Sequence, residues 1–455
     1  MYNFKYHIKE TFKLAYPVTI GQLGHIMLGV VDSVMVGKVG AVPLAASSLV
    51  NGLVFLIVVF GLGMTLAITP LVAIAKGKND HKQCGVVLRQ ALLVNTLCGL
   101  VLNGLIFILA DLIFHLNQPP EVAEQAASYA KILSFSIVPF MLFQSFRQFI
   151  EGLYYTRPAM YITILANLVN AFGNWVFIYG NLGLPAYGLD GAGYSTFFTR
   201  LFMSLVIMIY VMNSPRFRNY EPKFRIRNIN WRVIKRLFDI GIPSGFQHFF
   251  EVGAFAFSAV MIGWLGSIQL AAHQIALNMA SITFMSILGI SAAGTIRVGN
   301  ALGREKLQEV RDAGFGALIL AAMIMAFFGM TFILLRGILP TFYIKNIEVI
   351  QIASVLLVVA AFFQISDGVQ AIGLGILRGI TDVKLPMVIS FTAYWALGLP
   401  AGYILGFIMK KGVVGIWIGL LIGLTVAAAL FTLRFHVKTR VANSKVYKEN
   451  TKKAE

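Results

Sequence analysis

Charge is scarce in this sequence. Asp, Glu, Lys and Arg make up 12% of its 455 residues, half of the roughly 25% that solvates an ordinary globular surface. The shortage runs along the whole length, which argues against a soluble domain carrying one anchor. Cysteine is nearly absent as well: Cys84 and Cys98 stand alone, and their spacing suggests neither a disulfide framework nor a thiolate metal site. P-loop, HExxH and GxSxG motifs are missing, so nothing points to ATP-driven transport by this chain or to the corresponding hydrolases, and no cofactor is implied. The start of the chain lacks a short apolar core with a small-residue cleavage site, so the first helix is expected to act as its own insertion signal.

What is present is apolar. Hydrophobic residues make up 58% of the chain and the mean hydropathy is +0.78. About twelve runs approach the roughly 20 residues that cross a bilayer core as a helix. They lie near 12–36, 45–75, 86–115, 124–150, 158–180 and 189–213, and then near 236–264, 270–300, 312–338, 347–377, 384–408 and 414–435. The runs lack the strict alternation of barrel strands, so an all-α membrane protein of twelve transmembrane helices is predicted.

The net charge of +18 is distributed by topology. Lys and Arg gather in alternate connections: Lys9 and Lys13, Lys76 to Arg89, the dense run from Arg216 to Arg236, Arg304 to Arg311, and the tail from Arg434. The intervening segments 116–121 and 181–191 carry no Lys or Arg. This positive-inside pattern places both termini in the cytoplasm and gives no reason to expect nucleic acid as a partner; membrane lipid is the expected contact.

Sliding the sequence by 226 residues aligns Pro17 with Pro243 and continues without a gap to Gly77 against Gly303. Gly37/Gly263, Gly40/Gly266, Gly63/Gly289 and Thr69/Thr295 are identical along the way. Ungapped agreement of Pro and several Gly is hard to obtain by chance in apolar sequence. Six helices separate equivalent points, so the halves enter the membrane in the same sense, as parallel repeats. The expected organisation is an N-terminal lobe 1–213, a basic cytoplasmic linker 214–235, a C-terminal lobe 236–435 and a disordered tail 436–455. Two pseudosymmetric six-helix bundles would then face a central cavity.

Ionisable residues at membrane depth are costly and rare, so each is a candidate for function. Asp32 lies deep in the first run, and Gln22, His25 and Asp32 share one helix face. The repeat maps them onto His248, Glu251 and Ser258. Asp367 is the third intramembrane acid; Asn167, Asn170 and Asn174 in helix five, and His273, Gln274 and Asn278 in helix eight, add polar groups. Arg147, Glu151, Asp239, Arg297, Arg336 and Arg378 sit nearer helix ends, where snorkelling is the expected behaviour. The histidines and asparagines serve equally well as structural hydrogen-bonding groups. A carboxylate in a low-dielectric site can hold H⁺, Na⁺ with help from amide oxygens, or an organic cation. Mutually exclusive occupancy by ion and substrate is the minimal requirement for antiport.

Seven segments carry a family resemblance: 31-VDSVMVG-37, 61-GLGMTLAITPLVAIAKG-77, 170-NAFGNWVFIYG-180, 270-LAAHQIALN-278, 293-AGTIRVGNALG-303, 367-DGVQAIGLGILRGITD-382 and 394-YWALGLPAGY-403. In this order and spacing the chain resembles the MATE (multidrug and toxic compound extrusion) family, in particular its NorM-like branch. The resemblance implies twelve helices in two lobes, residence in the bacterial inner membrane, and export of cationic amphiphilic drugs in exchange for Na⁺ or H⁺. It assigns the N-lobe cation site to Asp32, Asn170 and Asn174, and the C-lobe acids to Glu251 and Asp367, where Na⁺ would bind. Some H⁺-coupled relatives carry Asp where Asn174 stands and lack the C-lobe pair, which tilts the expectation toward Na⁺. Pro400 is expected to bend helix eleven. The protein is expected to work as a monomer and not as an enzyme. The alternative from the same superfamily is a flippase for lipid-linked precursors, disfavoured because the mid-membrane charges read as acidic. A channel and an intramembrane enzyme find no supporting motif.

Overall fold

A computed structural model of the chain describes residues 4–222 and 229–440. The middle of the basic linker and residues 441–455 lie outside the described residues; the tail is expected to be disordered from 436, but the last helix runs on to Lys438. Among the described residues every regular element is helical. The membrane helices are α1 (Phe4–Gly37), α2 (Ala41–Gly77), α3 (His81–His115), a bent α4 (Pro120–Phe135 and Ile137–Gly152), α5 (Arg157–Phe177) and α6 (Gly188–Asn213). The second set is α7 (Trp231–Gly263), α8 (Ser267–Gly303), α9 (Leu307–Leu335), α10 (Ile347–Gly379), α11 (Lys384–Ile408) and α12 (Gly412–Lys438). All twelve apolar runs are helices, with ends moved by a few residues. Large apolar side chains stay outward, among them Ile108, Leu168, Phe327 and Leu334, each more than 60% exposed. That surface suits lipid and not water.

The chain separates into two compact units that do not part in the linker: Ile20–Gly245 forms one, and Met1–Thr19 with Phe246–Glu455 forms the other. Both crossing points lie inside helices, in α1 after Thr19 and in α7 after Gly245. These residues are equivalent under the 226-residue repeat. Each lobe therefore contains the first turns of the other lobe's opening helix. Small residues secure both arrangements. In the first unit a Cβ on Gly63 of α2 would fall 2.4 Å from the Cα of Gly245, leaving no room for any side chain. In the second unit a Cβ on Gly289, the repeat equivalent of Gly63, would fall 2.1 Å from Thr19 Oγ1. The start of α1 is further tied down by Arg297 of α8, which donates to the carbonyl of His7 and, at 2.7 Å, to Thr11 Oγ1.

Two helices depart from regular geometry. The halves of α4 meet at 41° around Ser136. Pro139 follows the break, and its missing N–H leaves the carbonyl of Phe135 without its helical donor. Helix α11 contains π-helical turns at Thr392–Gly398 and Ile404–Ile408, on either side of Pro400. It lies against α12 along two glycine tracks of four-residue spacing, Gly398, Gly402 and Gly406 facing Gly415, Gly419 and Gly423. Spacing of that kind lets membrane helices approach backbone to backbone. The C-terminal unit is filled by Trp417, Leu420 and Leu424 of α12 with Leu356, Leu357 and Ala360 of α10. The N-terminal unit is filled by Val50, Val54 and Val58 of α2 with Tyr129, Leu133 and Ile137 of α4.

Candidate functional site

In the N-terminal unit the resemblance-assigned residues converge. Asn170 and Asn174, one turn apart on α5, are both buried, while Asp32 of α1 is partly buried. Asn174 Nδ2 donates to Asp32 Oδ1 at 2.6 Å, and Thr196 of α6 donates to Asp32 Oδ2 at 3.2 Å. Asn174 also approaches Asn170 Oδ1 at 3.4 Å, and Ser195 fixes the Asn170 backbone by donating to its carbonyl at 3.0 Å. Asn174 Oδ1 is buried without a hydrogen-bond partner. The direct partners of the Asp32 carboxylate are thus neutral donors, an amide N–H and a hydroxyl. The carboxylate, with the amide oxygens of Asn170 and Asn174 close by, supplies acceptors of the kind a hard cation or a proton takes. Thr196 escaped the sequence reading because a single Thr in an apolar run carries no signal of its own.

Arg200 lies in none of the family segments and was not singled out from the sequence. It stands near the middle of α6, one turn beyond Thr196, so the mid-membrane charges are not all acidic. Its guanidinium donates to Ser136 Oγ at 2.7 Å and lies 4.7 Å from the centre of the Phe140 ring. Its charge also reaches Asp32. Placing an arginine at the centre of a membrane helix costs about 2.5–3.5 kcal/mol on insertion scales, so a lobe that keeps one has a use for it. Position within the run, rather than family motif, was the signal that could have found it.

Elsewhere in this unit, Gln22 accepts from Arg147 at 3.4 Å, and Arg147 forms an ion pair with Glu151 at 2.7 Å. Both partners of that pair are buried, with side chains 4% and 2% exposed, so snorkelling does not describe them. His25 packs edge-on against Phe140 and Phe143 at 6.0 and 5.9 Å, and its Nε2 has no hydrogen-bond partner. Asn167 donates to the Gly24 carbonyl at 3.0 Å and so ties α5 to α1.

In the C-terminal unit Glu251 of α7 and Asp367 of α10 are close enough for their charges to interact, and Arg378 acts on Glu251 as well. Asp367 and Arg378 lie three turns apart on one face of α10, and both are buried. Arg378 and Arg297 therefore depart from the snorkelling expectation, whereas Arg336 is exposed as expected and Asp239 is partly buried. Tyr394, fully buried in the first π-helical turn of α11, carries a hydroxyl without a hydrogen-bond partner, and it feels the charges of both acids. Gln364 donates to Thr283, and both side-chain polar atoms of buried Gln370 lack partners. Among the described residues no cluster of three His, Cys, Asp or Glu side chains is placed to hold a metal. Any Na⁺ at Glu251 and Asp367 would need amide or hydroxyl oxygens to complete its shell.

The remaining candidates separate. His273 is fully buried and accepts from Trp417 Nε1 at 3.1 Å through Nδ1, a core contact that leaves the ring proton on Nε2. Gln274 and Asn278, on the same helix, are exposed; His248 is partly buried. His273 is thus held in the core by Trp417, away from any role the acids define.

Comparison with known proteins agrees with this architecture. The MatE family profile matches twice, over residues 17–176 and 243–404. The two matches begin at Pro17 and Pro243, the first pair of the internal repeat. The multidrug resistance protein NorM of Vibrio vulnificus (strain YJ016) is 34% identical over 442 residues, covering 96% of each chain. The multidrug resistance protein MdtK of Yersinia pseudotuberculosis serotype O:1b (strain IP 31758) is 36% identical, covering 95% of this chain and 96% of its own. Among solved structures, that of the eukaryotic MATE transporter AtDTX14 superposes with a TM-score of 0.89, covering 99% of this chain and all of its own. At 19% identity that likeness speaks for the fold alone.

Proposed function

The chain belongs to the MATE family, and from that premise we propose that it is a multidrug efflux antiporter of the bacterial inner membrane. It exports cationic amphiphilic compounds in exchange for Na⁺ or H⁺ by alternating access. The observation that carries this reading is Asp32: an intramembrane carboxylate whose direct partners, Asn174 and Thr196, are neutral. Arg200 acts on that charge from a distance while bonded to Ser136, so the carboxylate can still receive a mobile cation. An entering ion and an organic ammonium group compete for the same two oxygens, which links import of one to release of the other. Glu251 and Asp367 form a second acidic station in the other lobe, with Arg378 offsetting part of the charge. Na⁺ is the favoured coupling ion, because Asn174 replaces an acid and the C-lobe pair is present.

The test is drug resistance in a hypersensitive bacterial host. Wild-type protein should lower the intracellular level of a fluorescent organic cation. Asp32→Asn and Asp367→Asn should abolish that effect at equal membrane abundance; wild-type efflux from both variants would remove these acids from the mechanism.

The flippase reading gains one observation, since Arg200 and Arg378 place basic groups within the lobes. Growth of a flippase-depleted strain rescued by this chain would establish it instead.

A further inference from the structure

The turn between α2 and α3 and the start of the basic linker enclose a cavity of about 630 Å³. Asn79 to Lys82 line one side of it, and Arg218, Asn219 and Glu221 line the other. All of these belong to the N-terminal unit. The linker side is built into that unit rather than laid over it. Phe217 is fully buried against Tyr155 and Tyr210, with ring centres 5.4 and 5.6 Å away. Tyr220 meets the His81 ring at 5.0 Å, and Arg89 donates to the Glu221 carbonyl at 2.8 Å. Gly85 leaves the space in which the Tyr220 carbonyl sits, since any Cβ there would collide with it.

The charges around the cavity are not matched within the protein. Asp80 is engaged at the start of α3, where its Oδ1 accepts from the Gln83 backbone N–H at 2.9 Å. The side chains of Lys82 and Arg218 have no ion-pair or hydrogen-bond partner among the described residues. The internal repeat provides a comparison. Asn79 and Glu305 are equivalent and share a left-handed backbone, with φ of 59° and 60°. In the C-terminal turn Glu309 pairs with Arg304 at 2.6 Å and with Lys306 at 3.0 Å, so that turn closes on its own charges. The N-terminal turn has Gln83 where Glu309 stands, and Lys82 faces the cavity instead. Lys82 also stands only four residues, about 6 Å of helix rise, before the apolar run of α3 begins at Val86. On the helical period it shares a face with Leu93, Leu97 and Leu100, the last two exposed. The cavity thus opens at headgroup depth, at the end of a lipid-facing stripe.

We propose that this cavity binds the headgroup of an anionic phospholipid, phosphatidylglycerol in particular. Its phosphate sits between Lys82 and Arg218, its glycerol hydroxyls donate to Glu221 and to the amide oxygens of Asn79 and Asn219, and its acyl chains follow the exposed face of α3. Two unpartnered cations require an anion, and the carboxylate beside them requires a donor; a glycerophosphate carries both a few atoms apart. A free phosphate ion has the same charge but no acyl chain to hold it against the stripe. This site is separate from the acids assigned to transport and stands whether or not the efflux reading does.

The experiment follows heat unfolding of the purified full-length protein by tryptophan fluorescence in a neutral detergent. Phosphatidylglycerol, phosphatidylcholine or inorganic phosphate is added in turn. Phosphatidylglycerol should raise the midpoint by about 3 °C, and the other two by less than about 1 °C. In Lys82→Gln/Arg218→Gln the apparent affinity for phosphatidylglycerol, read from midpoint against lipid concentration, should fall at least about tenfold. Arg232→Gln/Lys235→Gln removes the same charge from exposed positions at the start of α7, outside the cavity, and should leave the affinity within about twofold. Native mass spectrometry gives a second reading: wild type should retain phosphatidylglycerol, and Lys82→Gln/Arg218→Gln should lose it. Equal weakening by both double variants would overturn the inference and leave a diffuse attraction of basic surface for anionic lipid. A midpoint raised as much by inorganic phosphate as by phosphatidylglycerol would overturn the lipid assignment. Wild-type protein that responds alike to phosphatidylglycerol and phosphatidylcholine would overturn the site itself.

Discussion

Replacing Gly419 by alanine isolates what the glycine tracks between α11 and α12 contribute. The new Cβ would lie 2.2 Å from the backbone nitrogen of Gly402, 2.3 Å from its Cα and 2.6 Å from the carbonyl oxygen of Gly398. Carbon and its neighbours sit comfortably at about 3.5–4.0 Å, so the two helices must move apart by more than about 1 Å. No rotamer change can relieve the clash, because all three atoms are backbone. Overpacking of well-fitted interiors costs about 1–3 kcal/mol, and the backbone collision puts this case near the upper end. Alanine regains about 1 kcal/mol of helix propensity over glycine, leaving a net loss of roughly 2 kcal/mol. Gly52 of α2 is the matched control, since a Cβ there meets nothing within 4 Å. Both variants would be purified in one detergent and unfolded with heat, following tryptophan fluorescence; Trp417 lies two residues from the substitution and is buried. Gly419→Ala should unfold at a clearly lower temperature than wild type, with Gly52→Ala at or above it. Equal stability of the two variants would refute the close approach of α11 and α12.

Further perturbations address separate contacts. Glu151→Gln leaves Arg147 buried without its counter-charge and should destabilise the protein by about 3–5 kcal/mol, whereas Arg147→Met with Glu151→Leu should recover most of that loss; a double-mutant cycle on unfolding midpoints checks this. Trp417→Phe removes the donor to His273 Nδ1 and should cost about 1–3 kcal/mol by leaving a buried acceptor unpaired, while ion-driven efflux per folded molecule stays at the wild-type level. Arg297→Met releases the first turns of α1 from α8, so hydrogen exchange should accelerate between His7 and Ala15 and remain unchanged in α5.

The spans were legible because hydropathy reports where a chain enters and leaves lipid, and all twelve runs became helices. The same signal cannot say which neighbours a helix packs against. The lobes therefore exchange at Thr19 and Gly245, inside apolar runs, and not at the charged linker where composition changes. The repeat nevertheless contained the clue, since Gly63 and Gly289 align and each seats the crossing helix of its unit. Asp32, Asn170 and Asn174 could be found from an isolated acid and from a four-residue spacing on one helix face. Arg200 was hidden by attention to acids, although its central place in an apolar run is as anomalous as that of Asp32. Arg147 and Glu151 show the converse: an opposite-charge pair four residues apart reads as a helix-end feature, and burial makes it a core ion pair. Pro400 led to the expectation of a bend in α11, whereas the irregularity seen there is a pair of π-helical turns, which depend on backbone hydrogen bonding that residue identity alone does not specify.

The most direct test of the transport account uses purified protein in liposomes, with export of a fluorescent organic cation followed while a Na⁺ gradient and a pH gradient are imposed separately. Movement driven by Na⁺ alone, and lost in Asp32→Asn, is the predicted result. Movement driven only by H⁺ would contradict the assignment of Na⁺ to these sites and leave antiport standing. No movement under either gradient, with the protein shown to be folded and correctly inserted, would contradict antiport of organic cations.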